Sequence, residues 1–317
     1  MPTEADIVSF LQEYQLTQRG ESPWPSLNSQ DLDALPLNWT VLFPRHRSLV
    51  EGNNDWDVYD DNWEPEFEQE FMSGLEEALS LGPPADRELD GMAESNRWDT
   101  CAWYQPIHYF GPDWCICIRQ DCILAQALRI ARFLPKPARP SVGLARALVR
   151  ASTYAYFLHE QYHHKVESLA IRLEVIERRP IYTSYDNKVY LPARGTDDQL
   201  EEALANASIY RRLPTDPYER WISEPIVEAT LQYLLATFPH EPRGYRKAVN
   251  YLGVTSFEAG ENRLHGRVHE ATSHPVQPAT DWAIATRLMQ SLFKVTDKIW
   301  VLVTPGGRPI LPSQPWP

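Results

Sequence analysis

From about Val142 to Glu177, apolar side chains recur at helical spacing, with no proline and, after Gly143, no glycine. This stretch predicts one long helix, or two with a break, and Pro180 ends it. Within it lies Leu158-His159-Glu160-Gln161-Tyr162-His163-His164, which contains His-Glu-x-x-His. On a helix, His159 and His163 share one face, about 6 Å apart along the axis, so both imidazoles can converge on one ion at about 2.0–2.1 Å. Glu160 points beside that axis, where a carboxylate can take a proton from an attacking water.

Such an ion needs a third protein ligand. Glu167, Glu174 and Glu177 lie on the same helix or its continuation. Glu167 is eight residues from His159, about 12 Å along a straight axis, and cannot share an ion with it. The ligand has to come from elsewhere. The best placed acidic residues are Glu201 and Glu202, in the helical segment 198–212. His164, one step around from His163, is expected in a supporting or solvent-facing position.

The rest of the chain reads as mixed structure. Residues 4–17 form an amphipathic helix through Ile7, Phe10, Leu11 and Tyr14. Residues 20–65 are loop-like, with one strand at Trp39–Phe43, and residues 66–81 are helical. Residues 101–119 read as two strands around a turn. In the second, Trp114, Ile116 and Ile118 face one way and Cys115, Cys117 and Arg119 the other. A helix follows at 121–134. Residues 181–195 read as strand and loop, 217–237 as a helix interrupted at Pro225, 281–295 as a helix, and Ile299–Val303 as a strand.

Charge and cysteine usage narrow the classes. Residues 51–100 hold 16 acidic residues against two basic ones, so nearly all of the net charge of −13 sits there. No basic patch supports nucleic-acid binding. No run of about 18 or more apolar residues occurs and the first residues do not read as a secretory signal, so no membrane span is expected. Cys101, Cys115, Cys117 and Cys122 lack paired metal-ligand spacing and read as reduced core thiols, which makes a cytoplasmic location the expectation. The acidic run Asp55–Glu66 matches a calcium loop in length but has Asp60 where that loop needs glycine, and reads as solvated. His265, His269 and His274 cluster in sequence, but His269 and His274 are five apart and would splay by about 140° on a helix, so they read as a decoy.

A His-Glu-x-x-His helix followed by a helix bearing Glu-x-x-x-Asn resembles the gluzincin metallopeptidases. Glu202 and Asn206 fit that spacing, and Glu201 does not, because Ala205 stands four positions on. The segment EEALANA also resembles the corresponding helix of small intracellular bacterial gluzincins. The resemblance covers about residues 142–212. It implies zinc held by His159, His163 and Glu202, with Asn206 supporting a histidine where the family usually has aspartate. It also implies Glu160 as general base in an endopeptidase acting on a peptide or protein substrate, with regulation by a partner or signal. Tyr185, Tyr190, Arg211 and His240 are positional candidates for the oxyanion donor, Tyr190 first. The expected fold is α+β, with an acidic, Trp-rich region at 1–100, a zincin-like core at 101–240 and a helical and strand region at 241–317. Two other readings use the same motif: a zincin-like binding or sensing module with little turnover, and a carboxylate-bridged di-iron helical protein. The second needs another Glu-x-x-His helix, which the chain lacks.

Overall fold

In a computed structural model of the chain, the long helical stretch is one continuous helix, Val142–Glu177. The Ser141 side chain starts it by accepting the Leu144 N–H at 3.2 Å. Arg178, at φ 54°, ends it in the left-handed conformation that commonly closes helices. The structure describes residues 3–13, 40–42, 65–95, 98–215, 222–271 and 289–303.

In chain order the main elements are α1 (Glu4–Glu13), β1 (Thr40–Leu42), α2 (Pro65–Leu81), α3 (Asp86–Ser95), β2 (Ala102–Gln105), β3 (Cys115–Arg119), α4 (Gln120–Ala131) and α5 (Val142–Glu177). They continue with α6 (Leu200–Arg212), α7 (Glu224–Thr237), α8 (Val254–Glu270) and β4 (Ile299–Val303). The described chain is therefore mostly helical with one small mixed sheet, an α+β arrangement. None of its helices is long and apolar enough to cross a membrane.

The sheet runs β1-β4-β3-β2. The β2–β3 and β1–β4 pairs are antiparallel, and β3–β4 is parallel, with Ile116 opposite Ile299. The alternation read in residues 114–119 has its structural counterpart. Trp114, Ile116 and Ile118 join the main core, while Cys115 and Cys117 lie on the other face with Trp103 and Leu302. The parallel pairing requires a crossover, and that crossover carries helices α4 to α8.

Helix α5 is the core of this crossover. Residues 151–160 are buried without interruption, so every face of the helix is covered there. Burial of Phe157 and Leu158 alone stabilises the fold by roughly 1.5–3 kcal/mol each. Helices α4 and α6 and strand β2 pack on α5, and residues of β2 and α6 border the same cleft as His159.

Several expectations need correction. Residues 182–193 are helical turns, including a π-helical turn at Asp186–Tyr190, and not strand. The Glu174 carboxylate accepts the N–H groups of Ile181 and Tyr182 at 2.7 and 2.9 Å, which starts a helical turn where the tyrosine-rich sequence suggests a strand. Pro225 opens α7 at its first turn instead of interrupting it, because its missing N–H would have no partner there anyway. Residues 289–294 are irregular and 295–298 form a 3₁₀ turn in place of the expected helix end. Residues 281–288, Tyr14, His274 and most of the Asp55–Glu66 run lie outside the described residues. Cys101 and Cys122 form a disulfide, while Cys115 and Cys117 are free and buried. The expectation of four reduced thiols fails because the helical turn just before β2 and the first turn of α4 bring two cysteines 21 residues apart into contact, which spacing alone does not reveal.

Candidate metal centre

His159 and His163 lie one turn apart on α5, facing the first turn of α6, where Glu201 and Glu202 stand. Both acidic residues suit that position, since the N-terminal end of a helix favours negative charge. His159, Glu160, Glu202 and Asn206 are buried; His163 is partly so.

The hydrogen bonds set the histidine tautomers. Nδ1 of His159 lies 2.9 Å from Asn206 Oδ1, and Nδ1 of His163 lies 2.7 Å from Glu201 Oε1. Both partners accept, so each Nδ1 carries a proton and, in the neutral imidazole, each Nε2 presents a lone pair. The two Nε2 atoms are 3.3 Å apart, and Glu202 Oε2 stands 3.2 Å from that of His159 and 3.5 Å from that of His163. Three lone-pair atoms facing one another repel unless positive charge lies between them. Ligands at about 2.0–2.1 Å from a tetrahedral ion are about 3.3–3.4 Å from one another, so this triangle fits such an ion. Among the described residues, His159, His163 and Glu202 are the group able to hold a metal.

The electrostatics agree with the geometry. Burial opposes charge on His163, but Glu202 and Glu201 outweigh it and hold its pKa well above the usual histidine range. Burial likewise opposes ionisation of Glu202, yet His163 and His159 hold it well below the usual carboxylate range. The cluster is built to surround positive charge.

Aromatic residues fix the walls. His159 lies between Trp98 and Tyr245, with ring centroids at 5.1 and 6.0 Å and planes within 16° and 9°. The Tyr190 hydroxyl donates to Glu202 Oε1, and the Tyr185 hydroxyl donates to Glu201 Oε2 at 2.6 Å. Trp98 backs the His159 ring, while Tyr185, Tyr190, Tyr245, Glu201 and Glu202 line one cleft with His159, Glu160 and Ala102, Trp103 and Tyr104 of β2. It has about 30 Å³ of room, enough for an ion and a water.

Behind the cleft lies a polar cluster that sequence reasoning missed. His108 is fully buried between two carboxylates of α5, with Nδ1 2.6 Å from Glu167 Oε1 and Nε2 2.7 Å from Glu174 Oε2. Burial disfavours its charge, but Glu174 and Glu167 raise its pKa to about 10, so it is an imidazolium at neutral pH. Glu167 also accepts the Tyr104 hydroxyl and the backbone N–H groups of Ile107 and His108. This cluster ties the end of β2, which borders the cleft, to α5. The one available signal was that Glu167 and Glu174, seven apart, share a helix face.

The remaining sequence candidates are placed as follows. His164 supports no metal ligand. One residue turns the helix by about 100°, so its ring stacks on Trp114 at 4.7 Å and its Nδ1 meets the Tyr104 hydroxyl at 2.8 Å. Burial lowers its pKa to about 4, so it is neutral. Arg211 lies over the Phe257 ring, and His240 bonds Asp90 at 2.7 Å; neither lines the cleft. His265 and His269 lie on α8, outside the metal-holding group. Glu201, Trp98 and Tyr245 were not anticipated in their roles. Of these, only Glu201 carried a sequence signal, its position beside Glu202.

No protein-family model matches the chain, and no curated protein or solved structure is significantly similar to it.

Proposed function

We propose that this chain is a zinc-dependent endopeptidase with a zincin-like core of the gluzincin kind. The observation that carries this reading is the triangle of His159 Nε2, His163 Nε2 and Glu202 Oε2 in the cleft that Glu160 lines. Two imidazoles and a carboxylate leaving one position open are the donor set of a catalytic zinc site. When bound there, zinc polarises the scissile carbonyl and makes water a nucleophile near neutral pH.

The chain's own residues supply the rest. Glu160 accepts a proton from the attacking water and passes it to the amine nitrogen as the C–N bond breaks. Glu201 and Asn206 hold the two imidazoles in one tautomer. We assign Tyr190 to the developing oxyanion, a role that requires its hydroxyl to leave Glu202 Oε1. Strand β2, last in the sheet order among the described residues, borders the cleft and offers an extended peptide a backbone to pair with.

The cleft is narrow, with about 30 Å³ of room beside the candidate ligands, and regulation by a signal or partner protein that widens it is part of this reading. The Cys101–Cys122 disulfide weighs against the cytoplasmic placement expected from the sequence, since such bonds persist mainly in oxidising compartments.

The competing reading is a zincin-like binding or sensing module with little turnover. Glu160 favours the enzyme, because a structural site needs no proton acceptor beside its ligands. The test compares wild-type protein with Glu160→Gln for zinc content and for hydrolysis of a quenched fluorescent protein substrate. Equal zinc in both, with turnover reduced about 10²–10⁴-fold in Glu160→Gln, is expected. Stoichiometric zinc without turnover in the wild type would move the chain to the binding module.

A further inference from the structure

Asp186 lines the same cleft and is only 4% exposed. Its Oδ2 accepts the Tyr109 hydroxyl at 2.6 Å. Among the described residues no lysine or arginine pairs with it. The nearest cation in sequence, Lys188, is turned away to the Ala271 carbonyl at 3.2 Å, and the His108 imidazolium is shared by Glu167 and Glu174. Asp186 also starts the π-helical turn that ends at Tyr190, a distortion often found at functional sites.

We propose that Asp186 forms a subsite for a cationic group of the substrate, the guanidinium or ammonium of a basic side chain or the amino terminus of a peptide. The proposal rests on the same cleft receiving a peptide. Asp186 joins Glu160, Glu201 and Glu202 in the lining, so four carboxylates face a site whose metal supplies two positive charges. The cleft keeps a negative surplus that a cationic substrate neutralises and an acidic one aggravates. Burial raises the Asp186 pKa to about 6 despite the Tyr109 hydrogen bond, so its charge is costly without a counter-ion. A bound cation offsets that cost.

The test measures binding, so it does not depend on turnover. Zinc-loaded full-length Glu160→Gln protein is titrated into peptide pools with a neutral fluorophore at the carboxyl terminus, followed by anisotropy. Three forms of one pool are compared: amino-acetylated with arginine, amino-acetylated with citrulline in place of arginine, and citrulline with a free amino terminus. At least one cationic form should bind about tenfold or more tightly than the neutral form. Which form does so separates side-chain from amino-terminal recognition. Adding Asp186→Asn, which keeps an oxygen for Tyr109, should bring the ratio to about one with zinc content and melting transition unchanged. Equal affinities for the three forms, including no binding at all, would overturn the proposal, as would a preference that survives Asp186→Asn. A preference that holds while zinc-loaded wild type cleaves none of the peptides would retain the subsite and sink only the peptidase reading.

Discussion

Nδ1 of His163 stands 2.7 Å from Glu201 Oε1, while the next residue, Glu202, turns its Oε2 toward the Nε2 atoms of both histidines. Consecutive glutamates thus approach the same imidazole from its two nitrogens. One is placed to ligate an ion and the other to orient a ligand.

Their losses should differ. Glu202→Ala removes a donor atom, and zinc should no longer co-purify. Glu201→Ala leaves all three donors and should keep zinc at saturation with affinity reduced about 10–100-fold. Competition against a chromophoric chelator measures both. Equal affinity for Glu201→Ala and wild type would remove Glu201 from the site.

Asn206 holds His159 as Glu201 holds His163. Asn206→Ala should weaken zinc binding about 10–100-fold, since nothing would then fix the Nδ1–H tautomer. Asn206→Asp should bind at least as tightly as wild type, because a carboxylate makes the imidazole more basic. The same competition assay decides, and a weaker aspartate variant would contradict the assigned tautomer.

The His108 cluster predicts a pH dependence of stability. Its folded pKa of about 10 lies above the ordinary 6.5, so its contribution is fully present below pH 6.5 and is lost as pH rises toward 10. Glu167 is shifted the other way: burial raises it, but His108 and Tyr104 hold it below 4.5, so its contribution is lost in acid. Urea unfolding of zinc-loaded protein should show stability declining from about pH 7 to 10, a slope that His108→Gln lacks. His108→Ala, which leaves two buried carboxylates uncompensated, should cost about 3–5 kcal/mol at neutral pH.

The Cys101–Cys122 bond predicts that unreduced, unfolded protein titrates with the two thiols of Cys115 and Cys117 and no more. Replacing both bonded cysteines by serine should lower stability by about 3 kcal/mol, the loop-closure contribution expected for a separation of this size. Four titrating thiols would refute the pairing and restore the reduced, cytoplasmic expectation.

What could be read from the sequence was what repeats locally. His159 and His163, and likewise Glu202 and Asn206, stand four residues apart, and a helix turns such spacing into a shared face whatever surrounds it. The alternation in residues 114–119 assigned faces to the β3 side chains for the same reason. Tertiary structure decided which groups from separate elements meet. Contacts between distant residues depend on how helices and strands pack, and no local period encodes them. So Glu201, set aside because Ala205 follows it by four, becomes the partner of His163. His108, 59 residues before Glu167, becomes a buried cation. The tyrosines of 182–190 suggested a strand by residue type, and the Glu174 carboxylate beneath them made a helical turn that aims them into the cleft. The helical spacing set out the candidate metal ligands, whereas only the packing of α6 and β2 against α5 built the groups that orient and enclose them.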